Sequence, residues 1–230
     1  MKKDSLKTPM TAVLTHPDST VSEAFKTLRT NIEFSGTDKS LRSILVTSSF
    51  AQEGKTSIVL NLGAVFAQMD KKVLIIDADL RNPSLHVYFG LDNSKGLSSV
   101  LTSSDMDLNN IPIVAAKDVN NLYILPSGPI PKNPSELLIS INMKKLNKYI
   151  KEKFDLIIFD SPPILLVTDA AILSREVDAL LLVARSGKTT IPSLQRSKTI
   201  LDNIKANIIG IVINDIEQKE NRYYYHGNKE

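Results

Sequence analysis

The sequence predicts an α/β fold, a mostly parallel sheet with helices on both faces, and three observations predict it. Strand-like and helix-like segments alternate along all 230 residues, the order that buries a parallel sheet between helical layers. Several strand-like runs, Val73-Leu74-Ile75-Ile76 among them, are apolar without alternation, as strands covered on both faces must be. The stretch ILVTSSFAQEGKTS, Ile44 to Ser57, passes from an apolar strand through a small polar loop into a helical pattern. That order is the context that Gly54-Lys55-Thr56 needs in order to act as a phosphate loop.

Composition narrows the possibilities. The length suits one α/β domain able to bury a substantial core, expected over 1–216, with a separate tail over 217–230. A net charge of +3 from 28 basic and 25 acidic residues is balance rather than a nucleic-acid footprint, so no nucleic acid is expected. The absence of cysteine excludes disulfides, Cys-ligated zinc and thiol catalysis, and fits a reducing compartment. Met1-Lys2-Lys3-Asp4 leads into polar sequence, and no apolar run approaches the ~20 residues of a spanning helix. A soluble protein with no direct membrane insertion is expected, attached to a membrane only through a partner.

Met1 to Pro17 read as an irregular arm with a short extended piece at Ala12-Val13-Leu14. Thr20 and Glu23 form a capping box, after which Val21, Ala24, Phe25, Leu28 and Ile32 recur at helical spacing. Glu23, Lys26 and Arg29 step by three along that helix; taken alone they read as a solvated face with one ion pair. The helix beginning at Lys55 buries Ile58, Leu62, Val65, Phe66 and Met69 and ends at Asp70-Lys71-Lys72. Val73 to Ile76 form the next strand, and 84–116 read as helical pieces covering the site. A strand at Leu122 to Leu125 empties into the Pro- and Gly-dense 126–134, and Ser135-Glu136 open a helix through about Lys151. Phe154 to Phe159 form a strand ending in Asp160, Thr168-Asp169 begin a helix, and strands follow at Asp178 to Ala184 and Ala206 to Ile213.

The site is expected where these strands end. Read as a Walker A loop, the motif starts at Ser49, where the usual pattern has Gly, and runs through Gln52, Glu53 and Gly54 to Lys55, Thr56 and Ser57. Backbone N–H groups at a helix N-terminus would face the phosphates, Lys55 would bridge the β and γ groups, and the Thr56 hydroxyl would ligate Mg²⁺. Asp77 and Asp79 leave one strand at its C-terminal end and Asp160 leaves another, in the Walker B manner. Oxygen ligands of this kind suit Mg²⁺. Asn214 closes the last strand, where its amide can pair with a base edge or simply form a turn. From Glu217 onward the chain is charged and polar, with Tyr223-Tyr224-Tyr225 as its only apolar content. Three adjacent phenols cannot all face one core; they read as substrate on an arm, or as a packing contact with a neighbour.

With these residues together, the chain resembles the bacterial tyrosine kinases of capsule and exopolysaccharide synthesis, in their cytoplasmic Gram-positive form. The resemblance rests on Walker A at Ser49 to Thr56, a second Walker A motif at Val73 to Arg81, and Walker B at Asp160-Ser161-Pro162-Pro163. Gly128 to Leu138, Val167-Thr168-Asp169-Ala170 and the terminal tyrosines are also similar to family stretches. Glu23 to Asn31 is similar to the family's oligomerisation motif, with Lys26 where Arg is expected and so without a planar bidentate donor. Ala51-Gln52 stand where Pro-Gly is expected, which bears on how closely the backbone can approach a phosphate.

The resemblance implies a P-loop scaffold of MinD/ParA type and an ATP- and Mg²⁺-dependent protein-tyrosine kinase that phosphorylates Tyr223, Tyr224 and Tyr225 of a neighbouring subunit. It implies a ring-like homo-oligomer through Glu23, Lys26 and Arg29, and activation by a membrane-embedded polysaccharide copolymerase adaptor that recruits a cytoplasmic chain to the membrane's inner face. Other protein-tyrosine substrates and a cognate phosphatase follow from the same likeness. Lys55, Asp77, Asp79 and Asp160 are the expected catalytic set, with Asp77 the first choice of base for the tyrosine and Asp79 the second. Two rivals remain: a partitioning or septum-placement switch ATPase, which would carry Lys where this chain has Phe50, and a non-catalytic regulatory subunit of an export complex.

Overall fold

A computed structural model describes residues 11–35, 41–117 and 119–216. In chain order its elements are helices α1 (Ala12–Thr15) and α2 (Thr20–Ser35), strand β1 (Ser43–Ser48), helix α3 (Lys55–Ala67) and strand β2 (Val73–Asp77). Helices α4 (Leu85–Phe89) and α5 (Leu97–Thr102), a 3-10 turn (Leu108–Asn110), and strands β3 (Val114–Ala115) and β4 (Leu122–Leu125) follow. The chain continues through α6 (Pro134–Ile139), α7 (Ile141–Lys153), β5 (Leu156–Asp160), α8 (Asp169–Leu173), β6 (Ala179–Arg185), α9 (Ile191–Asn203) and β7 (Ile208–Asn214).

The strands form one sheet in the order β3-β4-β2-β5-β1-β6-β7, parallel except where the two-residue β3 runs against β4. Successive side chains of the central strands enter opposite cores. Ile44, Val46, Val73, Ile75 and Ile158 join α3 on one face, whereas Leu45, Leu74, Ile76, Ile157 and Phe159 join α7 and α9 on the other. Two-sided burial is why these runs carry no polar alternation. The sheet order places β5 between β1 and β2, all three parallel, so the loops after them open on one edge, where ligands of open α/β sheets sit.

Several local expectations are corrected. Ala12–Thr15 is a helical turn rather than extended, held where the Val13 N–H donates to Asn61 Oδ1 at 3.3 Å. The cap of α2 is Ser19, whose hydroxyl accepts from the Ser22 N–H at 3.2 Å, one residue before the expected Thr20. Val21 at 46% exposure and Met69 at 54% are not core; Met69 lies beyond the end of α3. The expected helix from Ser135 to Lys151 is two helices, because the Ser140 hydroxyl caps Met143 and starts α7 afresh. The tail with Tyr223, Tyr224 and Tyr225 lies outside the described residues.

Candidate functional site: a phosphate loop facing buried carboxylates

The loop between β1 and α3 is shaped by backbone conformations that the sequence only half announces. Gly54, immediately before α3, has φ of 94°, a region side chains rarely occupy. A Cβ there would stand 1.9 Å from Asn214 Nδ2, so glycine is required on two counts. Gln52, where a glycine was expected, nevertheless holds φ at 61°. The left-handed turn survives the loss of glycine, at a cost of ~1–2 kcal/mol that the surroundings must offset.

Those surroundings are specific. Glu53 is fully buried; its Oε2 accepts from the Phe50 N–H at 3.0 Å and its Oε1 from the Thr189 hydroxyl. Asn214 Nδ2 donates to the Glu53 carbonyl at 3.2 Å, and Arg185 Nη1 to the Gln52 carbonyl at 3.3 Å. Ser49 is buried with its hydroxyl 2.9 Å from that of Ser197 on α9. The side chains of Ser49 and Glu53 therefore brace the loop from behind, and only their backbone can serve a ligand. Asn214 is likewise engaged with the loop. Ser57 is exposed on the first turn of α3.

The opposite side of the loop is acidic. Thr56 Oγ1 donates to Asp160 Oδ2 at 2.6 Å, which spends the hydroxyl proton; with the Ser84 hydroxyl donating to it at 3.3 Å, one lone pair remains for a cation. Asp77 and Asp160 lie side by side as register partners of adjacent strands. Asp77 Oδ2 accepts from the Ser84 and Leu85 N–H groups at 3.0 and 2.9 Å. The other oxygen of each carboxylate, Asp77 Oδ1 and Asp160 Oδ1, is buried with no hydrogen-bond partner. Burial, with Asp160 alongside, pushes the Asp77 carboxyl up to about 8. Burial pushes Asp160 up to about 6 against the Thr56 hydrogen bond and the Lys55 charge. Asp79 is also raised by burial, opposed by the Asn82 N–H and by Lys55.

The residues expected to hold Mg²⁺ are thus partly gathered. Thr56, Asp77 and Asp160 meet, while Asp79 turns its Oδ1 to the N–H groups of Arg81 and Asn82 at 3.3 and 3.0 Å. Among the described residues, no group of three or more His, Cys, Asp or Glu side chains is close enough to hold a metal alone. Mg²⁺ asks for less: one or two carboxylates, with water and substrate phosphate completing its shell. Two orphaned carboxylate oxygens beside a proton-donating threonine fit that demand, since buried acceptors without partners are otherwise costly. Lys55, 9% exposed, acts electrostatically on both Asp160 and Asp79.

Sequence comparison matches residues 41–209 to a family described as an AAA domain. The chain is 43% identical over 219 residues to tyrosine-protein kinase YwqD of Bacillus subtilis (strain 168), covering 94% of this chain and 91% of that protein. This chain belongs to the bacterial tyrosine-protein kinase family. A second kinase relative, the putative tyrosine-protein kinase CapB of Staphylococcus aureus, is 35% identical over 228 residues, 98% of each chain. The kinase fold itself superposes on the kinase domain of Escherichia coli tyrosine kinase ETK with a TM-score of 0.85 and 34% identity, covering 94% and 84% of the two chains. The wider scaffold is shared with MinD of the Aquifex aeolicus MinC:MinD complex, at TM-score 0.62, 27% identity, and coverage of 76% and 69%.

Sequence reasoning missed the bracing residues Arg185, Thr189 and Ser197, and the Arg81–Asp169–Ser135 contact described below. Both depend on segments far apart in the chain, for which no local pattern exists. The Phe50-to-Glu53 contact spans only three residues, so a glutamate one place before Gly54 was a readable signal.

Proposed function

We propose that this chain is an ATP- and Mg²⁺-dependent protein-tyrosine kinase that phosphorylates Tyr223, Tyr224 and Tyr225 in trans and regulates capsule or exopolysaccharide synthesis and export. The observation that carries this reading is the pair of partnerless oxygens on Asp77 and Asp160, set against Thr56 and Lys55 in a kinase-family fold. Lys55 and the loop N–H groups would hold the phosphates, and Thr56, Asp77 and Asp160 would hold Mg²⁺, which would supply charge neutralisation for phosphoryl transfer. The phenol oxygen attacks the γ phosphorus, the bond to the bridging oxygen of ADP breaks, and the phenol proton passes to a carboxylate.

The base is better assigned to Asp79 than to the first choice, Asp77. Asp77 is fully buried, and Asp79 is partly exposed, so an incoming phenol reaches Asp79 first. A phenol has a pKa of about 10 and is a poor nucleophile without such an acceptor.

Self-association runs through α2 in this reading. Glu23 and Lys26 pair on its surface at 2.6 Å, whereas Arg29 bends inward to the Val65 carbonyl at 3.3 Å, leaving the first two residues the freer contacts for another copy. Recruitment to a membrane through a copolymerase adaptor belongs to the same proposal and is supported by the likeness to the kinase relatives; no helix among the described residues is long and apolar enough to cross a membrane. A switch ATPase is disfavoured because Phe50 occupies the place of that class's lysine, with its N–H committed to Glu53.

Incubation with ATP, Mg²⁺ and an adaptor tail peptide, followed by mass spectrometry, tests the proposal. Phosphate on Tyr223 to Tyr225 is the expected result. Free phosphate with an unmodified tail would indicate the switch ATPase, and neither product would indicate the regulatory subunit.

A further inference from the structure

One residue from each of three stretches singled out by resemblance, none of the three given a role in the site so far, meets the others at one point. Asp169, at the start of α8, is completely buried. Arg81, which follows β2 by four residues, grips it with both prongs: Nε to Oδ2 at 2.8 Å and Nη2 to Oδ1 at 3.1 Å. Ser135 of α6 completes the cluster, donating to Asp169 Oδ1 at 2.6 Å and accepting from Arg81 Nη2 at 3.0 Å.

We infer that Asp169 is a positioning residue that, through Arg81, holds the 78–85 loop so that Asp79 stays in place as the proposed base and Asp77, bonded by Ser84 and Leu85 of that loop, stays aimed at the metal position. The geometry of the loop shows why an outside anchor is needed. The loop folds back on its own carboxylates: Asp79 Oδ1 takes the N–H groups of Arg81 and Asn82, and Asp77 Oδ2 takes those of Ser84 and Leu85. These bonds, with that of the Ala78 N–H to the Asp160 carbonyl, pin the loop's two ends to the sheet and close its first turn, and leave its middle to be tied down from outside. The Arg81 fork onto Asp169 ties it to α8 and α6, and a bidentate guanidinium–carboxylate pair fixes direction as well as distance.

Asp169 has a second effect, on charge. Arg81 lies close enough to Asp79 to feel its charge. Bound to Asp169, the guanidinium is occupied; released, it can fold onto Asp79, two residues away, and neutralise the carboxylate that the acceptor phenol requires. Asp169 therefore keeps a cation away from the site as well as anchoring a loop to it.

This inference rests on the proposed Mg²⁺-nucleotide site, but its test reads binding, so failure of kinase activity would not disguise its outcome. Using the full chain, ADP affinity is measured calorimetrically with Mg²⁺ and with EDTA for wild type, Asp169→Ala, Arg81→Ala, Arg81→Lys, Ser135→Ala and the Asp169→Ala/Arg81→Ala pair. The gain in affinity that Mg²⁺ confers is expected to fall about tenfold in either alanine variant, equivalent to about 1.4 kcal/mol, with the EDTA affinity unchanged. The double variant is expected to lose no more than the worse single one, because both act through one contact. Ser135→Ala, which keeps the charge pair, and Arg81→Lys, which keeps only the charge, are expected to lose less, and they carry the test if Asp169→Ala does not fold. An unchanged Mg²⁺ gain, losses that multiply in the double variant, or an equal loss in EDTA would each overturn the inference, the last by showing a merely structural role.

Discussion

The two flanks of the phosphate loop are built on opposite principles. On the flank formed by β6, α9 and β7, every polar group named above has a partner: Glu53 with Phe50 and Thr189, Ser49 with Ser197, and Asn214 and Arg185 with loop carbonyls. On the flank formed by β2 and β5, Asp77 and Asp160 each keep a buried oxygen with nothing to bond. The difference teaches where the chemistry is. Satisfied groups hold the loop in a left-handed shape that Gln52 does not itself favour, and unsatisfied ones mark the side that the proposed cation would complete.

The largest expected effect lies where the flanks meet. Lys55→Met removes, from the end of the phosphate loop, the charge that acts on Asp160 and Asp79, and phosphotyrosine formation on the tail should fall by at least ~100-fold, since one such stabiliser is commonly worth ~3–4 kcal/mol; near-normal turnover would break the comparison at its centre.

On the unsatisfied flank, Asp77→Asn should raise the thermal stability of the metal-free protein at pH 8 while weakening its use of Mg²⁺. The sign follows from the raised carboxyl: Asp77 titrates near 8 when folded and near 4 when unfolded, so the folded state is favoured while it holds the proton. That contribution is complete below about pH 4 and is lost as pH rises through about 8. Differential scanning calorimetry of the metal-free wild type from pH 5 to 8 should show Tm falling, and Asp77→Asn should flatten that slope. A gain of ~1 kcal/mol at pH 8 corresponds to ~2–4 °C.

The satisfied flank should respond through stability and nucleotide affinity together. Gly54→Ala places a side chain at positive φ and against Asn214, and is expected to cost ~1–3 kcal/mol. Adding Asn214→Ala should recover only part of that, because the clash is relieved and the dihedral is not. Thr189→Val, which strips a donor from buried Glu53, should cost ~1–3 kcal/mol in Tm-derived stability. The smallest effect belongs to Gln52→Gly. Relief of the left-handed strain and the added freedom of the unfolded chain nearly cancel, leaving a change within ~1 kcal/mol. A large destabilisation there would show that the Gln52 side chain itself matters.

Legibility in the sequence follows the same division. Strands β1, β2, β4 and β5 could be read because two-sided burial writes itself as unbroken apolar runs, and Lys55, Thr56, Asp77 and Asp160 because a motif fixed their context. The break at Ser140 was hidden, since apolar spacing continues across it and only the serine's capping bond divides α6 from α7. The turn at Ala12–Thr15 depends on Asn61, far along the chain, and no local pattern announces it. The positive φ of Gln52 was unreadable for the same reason: Thr189, Arg185 and Asn214 impose it from the far end of the chain. Distinguishing Asp77 from Asp79 needed burial, which two carboxylates in one short motif do not reveal.

The central claim is that the unpartnered oxygens of Asp77 and Asp160 are the metal side of a nucleotide site. Electron paramagnetic resonance of Mn²⁺, titrated into the full chain in the presence of ADP, tests it most directly. Wild type is expected to bind a single Mn²⁺ tightly, and the Asp77→Asn/Asp160→Asn variant to bind ADP but no Mn²⁺ beyond that held by free nucleotide. Tight Mn²⁺ binding retained in that variant would contradict the account.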